Sequence, residues 1–213
     1  MPEKNFTITR LIKLLILCIL ATGANFLLNT FSVYFIKIPL FLDTVFNAAV
    51  CFTAGLFPGI FTALLTYTAL SIRNGGFDPF ILCAIAEVLL IWKFRPTEPI
   101  QIPNHYSNEK AVAVFVSIFA RLMLLFIVCC LMISILGGII DYVYYTLLEN
   151  SKLYFSAEDM FKLGLFQSNV PILVLNILSR FPVNIVDRFI VIFGGYFISQ
   201  LLTLKSRRTE IKP

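Results

Sequence analysis

Between Leu11 and Phe35 the chain carries one charged residue, Lys13. Five further apolar runs follow along the sequence. A bilayer core of about 30 Å takes roughly 20 residues of helix, so runs of this kind limit the fold to a membrane-embedded helical bundle. The breakers place the spans at about 11–35, 40–57, 59–72, 79–92, 111–137 and 183–204, within one integral membrane domain over 1–213. The expected fold class is therefore all-α, a polytopic bundle of about six transmembrane helices. The third and fourth runs are short, which calls for tilt or local thinning of the bilayer.

Composition agrees with this reading. Of 213 residues, 59% are hydrophobic and 14% charged, and the mean hydropathy is +0.88. A soluble domain carries about 25% charged residues to cover its water-facing surface. Phe occurs 22 times against a single Trp, which suits lipid contact and helix packing because Phe has no polar atom to satisfy. The first apolar run is too long for the core of a signal peptide and lacks a clear cleavage site, so it reads as a span.

Two polar stretches interrupt the pattern. Residues 93–110 hold Pro96, Pro99 and Pro103 with several charges and read as a solvated loop. Residues 141–181 are mixed, and Tyr142, Tyr144 and Tyr145 point to a membrane interface. Within them, 169–179 is apolar but brief and opens at Pro171. It is expected to be a short interfacial or re-entrant helix. With six spans both termini share a side, and that side carries nine Lys and Arg against five opposite. Both ends are thus expected in the cytoplasm, in a cell-membrane protein.

The five cysteines, Cys18, Cys51, Cys83, Cys129 and Cys130, all lie in apolar runs, with no CxxC and one histidine, His105. They read as small packing residues. No phosphate-binding loop, HExxH, GxSxG or kinase signature occurs. Asp43 with Asp187 could mimic an aspartyl pair, but the flanking motifs are missing. The chain is therefore read as neither an enzyme nor a cofactor or metal protein, and nothing points to nucleic acid. The basic tail from Lys205 reads as a positive-inside anchor.

Polar residues at membrane depth are costly, and are paired or functional. Asn25 and Asn29 are four apart and share a face of the first span. Asp43 and Asn47 repeat that spacing, and Asn176, Arg180, Asn184, Asp187 and Arg188 lead into the last span. With Arg73, Asn74, Asp78 and Asp141 at the rim, these residues gather at the outer end of the bundle. They can form a cavity open to the outside, with Tyr34, Phe41, Phe80, Tyr145 and Tyr196 as candidate walls. They can equally be helix-end residues reached by water. Glu87 and Arg121 lie nearer mid-depth in successive spans and are expected to pair with each other, a structural ion pair rather than a transport element. Gly55, Gly59 and Ala63 mark a tight helical hairpin, and Gly195 with Ser199 marks a candidate face for another subunit.

The stretch Ile38-Pro-Leu-Phe-Leu-Asp-Thr-Val-Phe46, followed by Ala54-Gly-Leu-Phe-Pro-Gly-Ile60 and Ala63-Leu-Leu-Thr66, resembles the substrate-binding S components of energy-coupling factor (ECF) vitamin transporters. So does the end, Arg180-Phe-Pro-Val-Asn184 with Asp187-Arg-Phe189 and Gly194-Gly-Tyr196. The resemblance implies a subunit that binds a vitamin or other small solute from outside. It further implies delivery through a membrane coupling subunit driven by two separate ATPases, the chain itself needing no phosphate loop. By the same analogy the solute contacts are Tyr145, Asn176, Arg180, Asn184, Asp187 and Arg188, supported by Asp43 and Asn47. Members often carry Ala-x-x-x-Ala as a docking pattern in the first span. Here Ala21 and Ala24 are three apart, with Gly23 between, and offer a small surface instead.

Two rival readings remain at this point. One is a membrane sensor acting with a separate signalling partner, since only nine residues follow Leu204. The other is an assembly factor whose polar rim is only an interface. The sequence does not name the solute, and a pocket holding Asp and Arg together accepts zwitterions, carboxylates or heterocycles.

The topology is checked by replacing the native cysteines and introducing Glu3→Cys or Thr209→Cys. Both are expected to react with a membrane-impermeant maleimide only after the membrane is opened. Labelling of one end alone from outside would place the termini on opposite faces.

Overall fold

A backbone in an apolar run has few hydrogen-bond partners other than itself, and the helix is the local conformation that satisfies every N–H and C=O within the run. The computed structural model describes residues 8–36, 40–96, 108–148 and 170–210, and these are almost entirely helical, with no strand among them. α1 (Ile8–Phe31) widens at its end into a π-helical stretch, Ser32–Ile36. α2 (Val45–Ala54) and α3 (Leu56–Asn74) meet at Gly55. α4 (Ile81–Phe94) follows, then α5 (Asn108–Ile140) with its π-helical extension Asp141–Leu148. α6 (Ile172–Phe189) passes through the π-helical Ile190–Gly194 into α7 (Gly195–Glu210), making one continuous rod. The all-α bundle is thus as expected.

Among the described residues, four segments are long and apolar enough to cross a membrane: Arg10–Phe35, Leu56–Asn74, Val112–Tyr144 and Ile172–Leu204. The second and fourth expected spans are shorter. α2 has 10 residues and α4 has 14, lengths of about 15 and 21 Å at 1.5 Å per residue. The run 40–57 is continuous as sequence but not as helix. Its first residues, Leu40 to Thr44, are non-helical, and Gly55 at φ +97° ends α2. The expected re-entrant segment at 169–179 is also corrected. From Ile172 it is the first half of the final rod, which runs past Pro182 without interruption. Pro182 lies on the outward face of this helix, so its ring does not press on the helices packed inside. The loop residues 97–107 and 149–169 lie outside the described residues.

Short as it is, α2 sits at the centre. It packs on α1, α3, α4 and α7, and its Val45, Asn47, Ala48, Ala49, Val50 and Cys51 are all buried. Small side chains allow this crowding. A Cβ at Gly195 would come within 2.8 Å of Ala48 Cβ, and one at Gly59 within 2.9 Å of Cys51 Cβ. The small residues of the last rod therefore serve an internal contact with α2, and Ser199 is buried too. This corrects the expectation of a face for another subunit. The hairpin reading of Gly55, Gly59 and Ala63 agrees with the structure. Ala21 is likewise turned inward, against Cys18 and Val50, which removes it from any docking surface. All five cysteines are buried and unpaired.

The outer surface is apolar: Leu20, Phe57, Phe115 and Phe197 are each more than 60% exposed. α5 lies closest to α6, where a Cβ on Gly138 would stand 2.7 Å from Ile177 Cα. Backbone cannot yield as a side-chain tip can, so Gly138→Leu is expected to push α5 from α6. The loss, about 1–3 kcal/mol from overpacking, should appear as a lower unfolding temperature in detergent.

Candidate functional site

Three polar clusters hold one end of the bundle together. In the first, Asn25 of α1 donates from Nδ2 to Asn47 Oδ1 at 2.9 Å and to Thr66 Oγ1 at 3.3 Å. Its Oδ1 accepts from the N–H of Phe46 at 2.9 Å. That amide belongs to the first turn of α2, whose N–H groups have no partner inside the helix. One asparagine thus ties α1, α2 and α3.

In the second cluster, Arg188 of α6 is buried among α4 and the segment before α2. Its Nη1 lies 2.5 Å from Glu87 Oε2 and donates to Thr44 Oγ1 at 3.3 Å. Its Nη2 pairs with Asp187 Oδ2. Glu87 is therefore paired with Arg188 rather than with Arg121, whose side chain is exposed on α5. The inner face of α6, not the next span in sequence, lies against Glu87.

In the third, Arg180 donates from Nε to Asp141 Oδ2 at 2.8 Å, and its guanidinium lies 4.5 Å from the centre of the Phe80 ring. One turn on, Asn184 Nδ2 donates to Ser134 Oγ at 2.9 Å. At the rim Arg73 donates to Asn29 Oδ1 at 2.8 Å and to Thr30 Oγ1 at 2.9 Å. Asp78, between α3 and α4, accepts from the N–H of Phe80 at 2.9 Å. Burial pushes its carboxyl above the usual value, opposed by that N–H.

These clusters surround a cavity of about 260 Å3. Its lining comes from the ends of α1 and α3, the segment before α2, the start of α4, the later half of α5, and α6. Asp43, Arg180, Asn184 and Arg188 of the expected site meet there. Tyr34, Phe41 and Phe80 form walls as expected, together with Tyr67. Other expected residues are not in the lining. Asn47 belongs to the α1–α3 tie, and Asp187 is buried behind Arg188. Asn176 is buried, and its carbonyl accepts from Ser179. The side chain of Tyr145 lies outside the described residues. Tyr196 is corrected as a wall, since its ring packs edge-on against Phe52 of α2.

Comparison with protein-family models, curated proteins and solved structures finds no match to this chain.

Sequence reasoning missed Thr44 and Tyr67 as lining. Thr44 had a signal, being adjacent to Asp43, whereas Tyr67 sits in an apolar run where nothing marks it. The Arg188 cluster yields a direct test. Removing one partner from a buried ion pair leaves an uncompensated charge and costs about 3–5 kcal/mol. Arg188→Met is expected to lower the unfolding temperature in detergent strongly, and adding Glu87→Gln to recover part of the loss. A double variant no more stable than the single one would remove the pair from the account.

Proposed function

We propose that this chain is a membrane-embedded solute-capture subunit of the ECF S-component kind. It takes up a vitamin or other small solute from outside and passes it to a coupling subunit powered by two separate ATPases. The observation that carries the reading is the cavity of about 260 Å3, where Asp43, Arg180, Asn184 and Arg188 converge between aromatic walls. Binding sites are commonly mostly apolar concavities with a few well-placed polar groups, at about 300–1,000 Å3 for drug-sized ligands. A volume just below that range fits a small solute.

The chemistry open to such a site is selection and release. Polar groups held by neighbours, as Arg180 is by Asp141 and Asn184 by Ser134, are ordered before a ligand arrives, so less freedom is lost on binding. The four long apolar segments among the described residues support a membrane location. The plasma membrane, with both termini cytoplasmic, is part of the same proposal.

Affinity capture of the full chain from its native membrane in mild detergent is expected to recover a polytopic coupling subunit and two nucleotide-binding ATPases. Recovery of a histidine kinase or other signalling protein instead would overturn the transport reading in favour of sensing.

A further inference from the structure

At the inner end of the cavity one guanidinium faces three carboxylates. Arg188 meets Glu87 and Asp187 directly. Asp43 lines the same floor, next in sequence to Thr44, which accepts from Arg188. The exposures of Arg188, Glu87, Asp187 and Asp43 are 4%, 1%, 0% and 3%, so bulk water does not screen them. Each carboxylate keeps one oxygen with no hydrogen-bond partner: Asp43 Oδ1, Glu87 Oε1 and Asp187 Oδ1. Of the three residues, only Asp43 lines the cavity.

The other cations around the cavity do not redress this balance. Arg180 is held by Asp141, and Arg73 is engaged by the neutral side chains of Asn29 and Thr30 beyond the floor. A buried carboxylate without a counter-charge is costly, and the cavity offers space for that counter-charge beside Asp43. Among the described residues no three His, Cys, Asp or Glu side chains converge to hold a metal ion. The Asp43 carboxylate instead suits an N–H donor of an organic cation, flanked by the Phe41 and Tyr67 rings that share the lining. Aromatic faces attract organic cations as well as packing their apolar parts.

We propose that the cavity selects a small solute bearing a protonated nitrogen, an ammonium, amidinium or protonated heterocycle, which pairs with the Asp43 carboxylate at the cavity wall. This assignment rests on the solute-capture reading and narrows it to one charge class.

Three probes of nearly the same shape separate the possibilities: benzamidine as cation, benzamide as neutral amide and benzoate as anion. Calorimetry on the purified full chain in detergent is expected to give saturable benzamidine binding. A charge-assisted hydrogen bond makes it about tenfold tighter than benzamide, with benzoate weaker still. Asp43→Asn, nearly isosteric, is expected to abolish the difference between benzamidine and benzamide. The ranking of probes on the unaltered chain does not depend on how that variant folds. Benzoate or benzamide binding as tightly as benzamidine would overturn the charge assignment while leaving the cavity a solute site. A benzamidine preference that survives in Asp43→Asn would also overturn the charge assignment, as would binding of none of the three. The capture reading itself stands or falls on the partners recovered from the membrane.

Discussion

Arg188 is the fixed point of the bundle. Its guanidinium reaches Glu87 on α4 and Thr44 ahead of α2 while it remains anchored on α6. Three chain segments far apart in sequence are thereby held at one depth. In an apolar interior such a centre admits little compromise. Any shift of α4 against α6 would leave a charge without its partner, and the cost of that exceeds most packing energies. The cavity lies directly beside this centre, so its floor is among the least movable parts of the molecule.

Around that point the packing is organised by size. Apart from Asn47 and Thr53, α2 is apolar and made largely of small residues, which is the pattern of a helix enclosed by others. Four helices approach it closely, with Gly59 and Gly195 at two of the contacts. Because α2 is short, the segment from Leu40 to Thr44 reaches the polar end as irregular chain. Asp43 and Thr44 thus sit at the floor of the cavity instead of on a helix flank. Irregular backbone at membrane depth is tolerated only where protein or a polar cavity surrounds it, and both conditions hold here.

Much of this was legible in the residues. The period of four from Asn176 through Arg180 and Asn184 to Arg188 draws one polar stripe, and the structure turns that stripe inward, with all four buried. Asn25 and Asn29 share a face for the same reason. Each apolar run holds a helix, though in the run 40–57 the helix begins only at Val45. What the sequence could not convey was which helices become neighbours. Glu87 plainly needed a cation, but Arg121 in the next span and Arg188 in the last were both available, and only packing decides. The shortness of α2 was hidden because hydrophobicity does not distinguish an apolar helix from an apolar lead-in. From the sequence, Pro171 is expected to open a short separate helix, and the last span to begin only at residue 183, just past Pro182. Pro171 does precede the first turn, whereas Pro182 lies on the outer face, where its ring does not disturb the core.

That second proline has a mechanical meaning. With no amide hydrogen on residue 182, the carbonyl of Leu178 loses the rung it would have shared inside α6. The rod is therefore weakest over the turn 178–182, which carries Arg180. Arg180 stands on the portion tied to Asp141 of α5, and Arg188 on the portion tied to Glu87 of α4. The ion pair with Asp141 therefore braces the turn that lacks the rung, while the pair with Glu87 holds the rod about two turns further on.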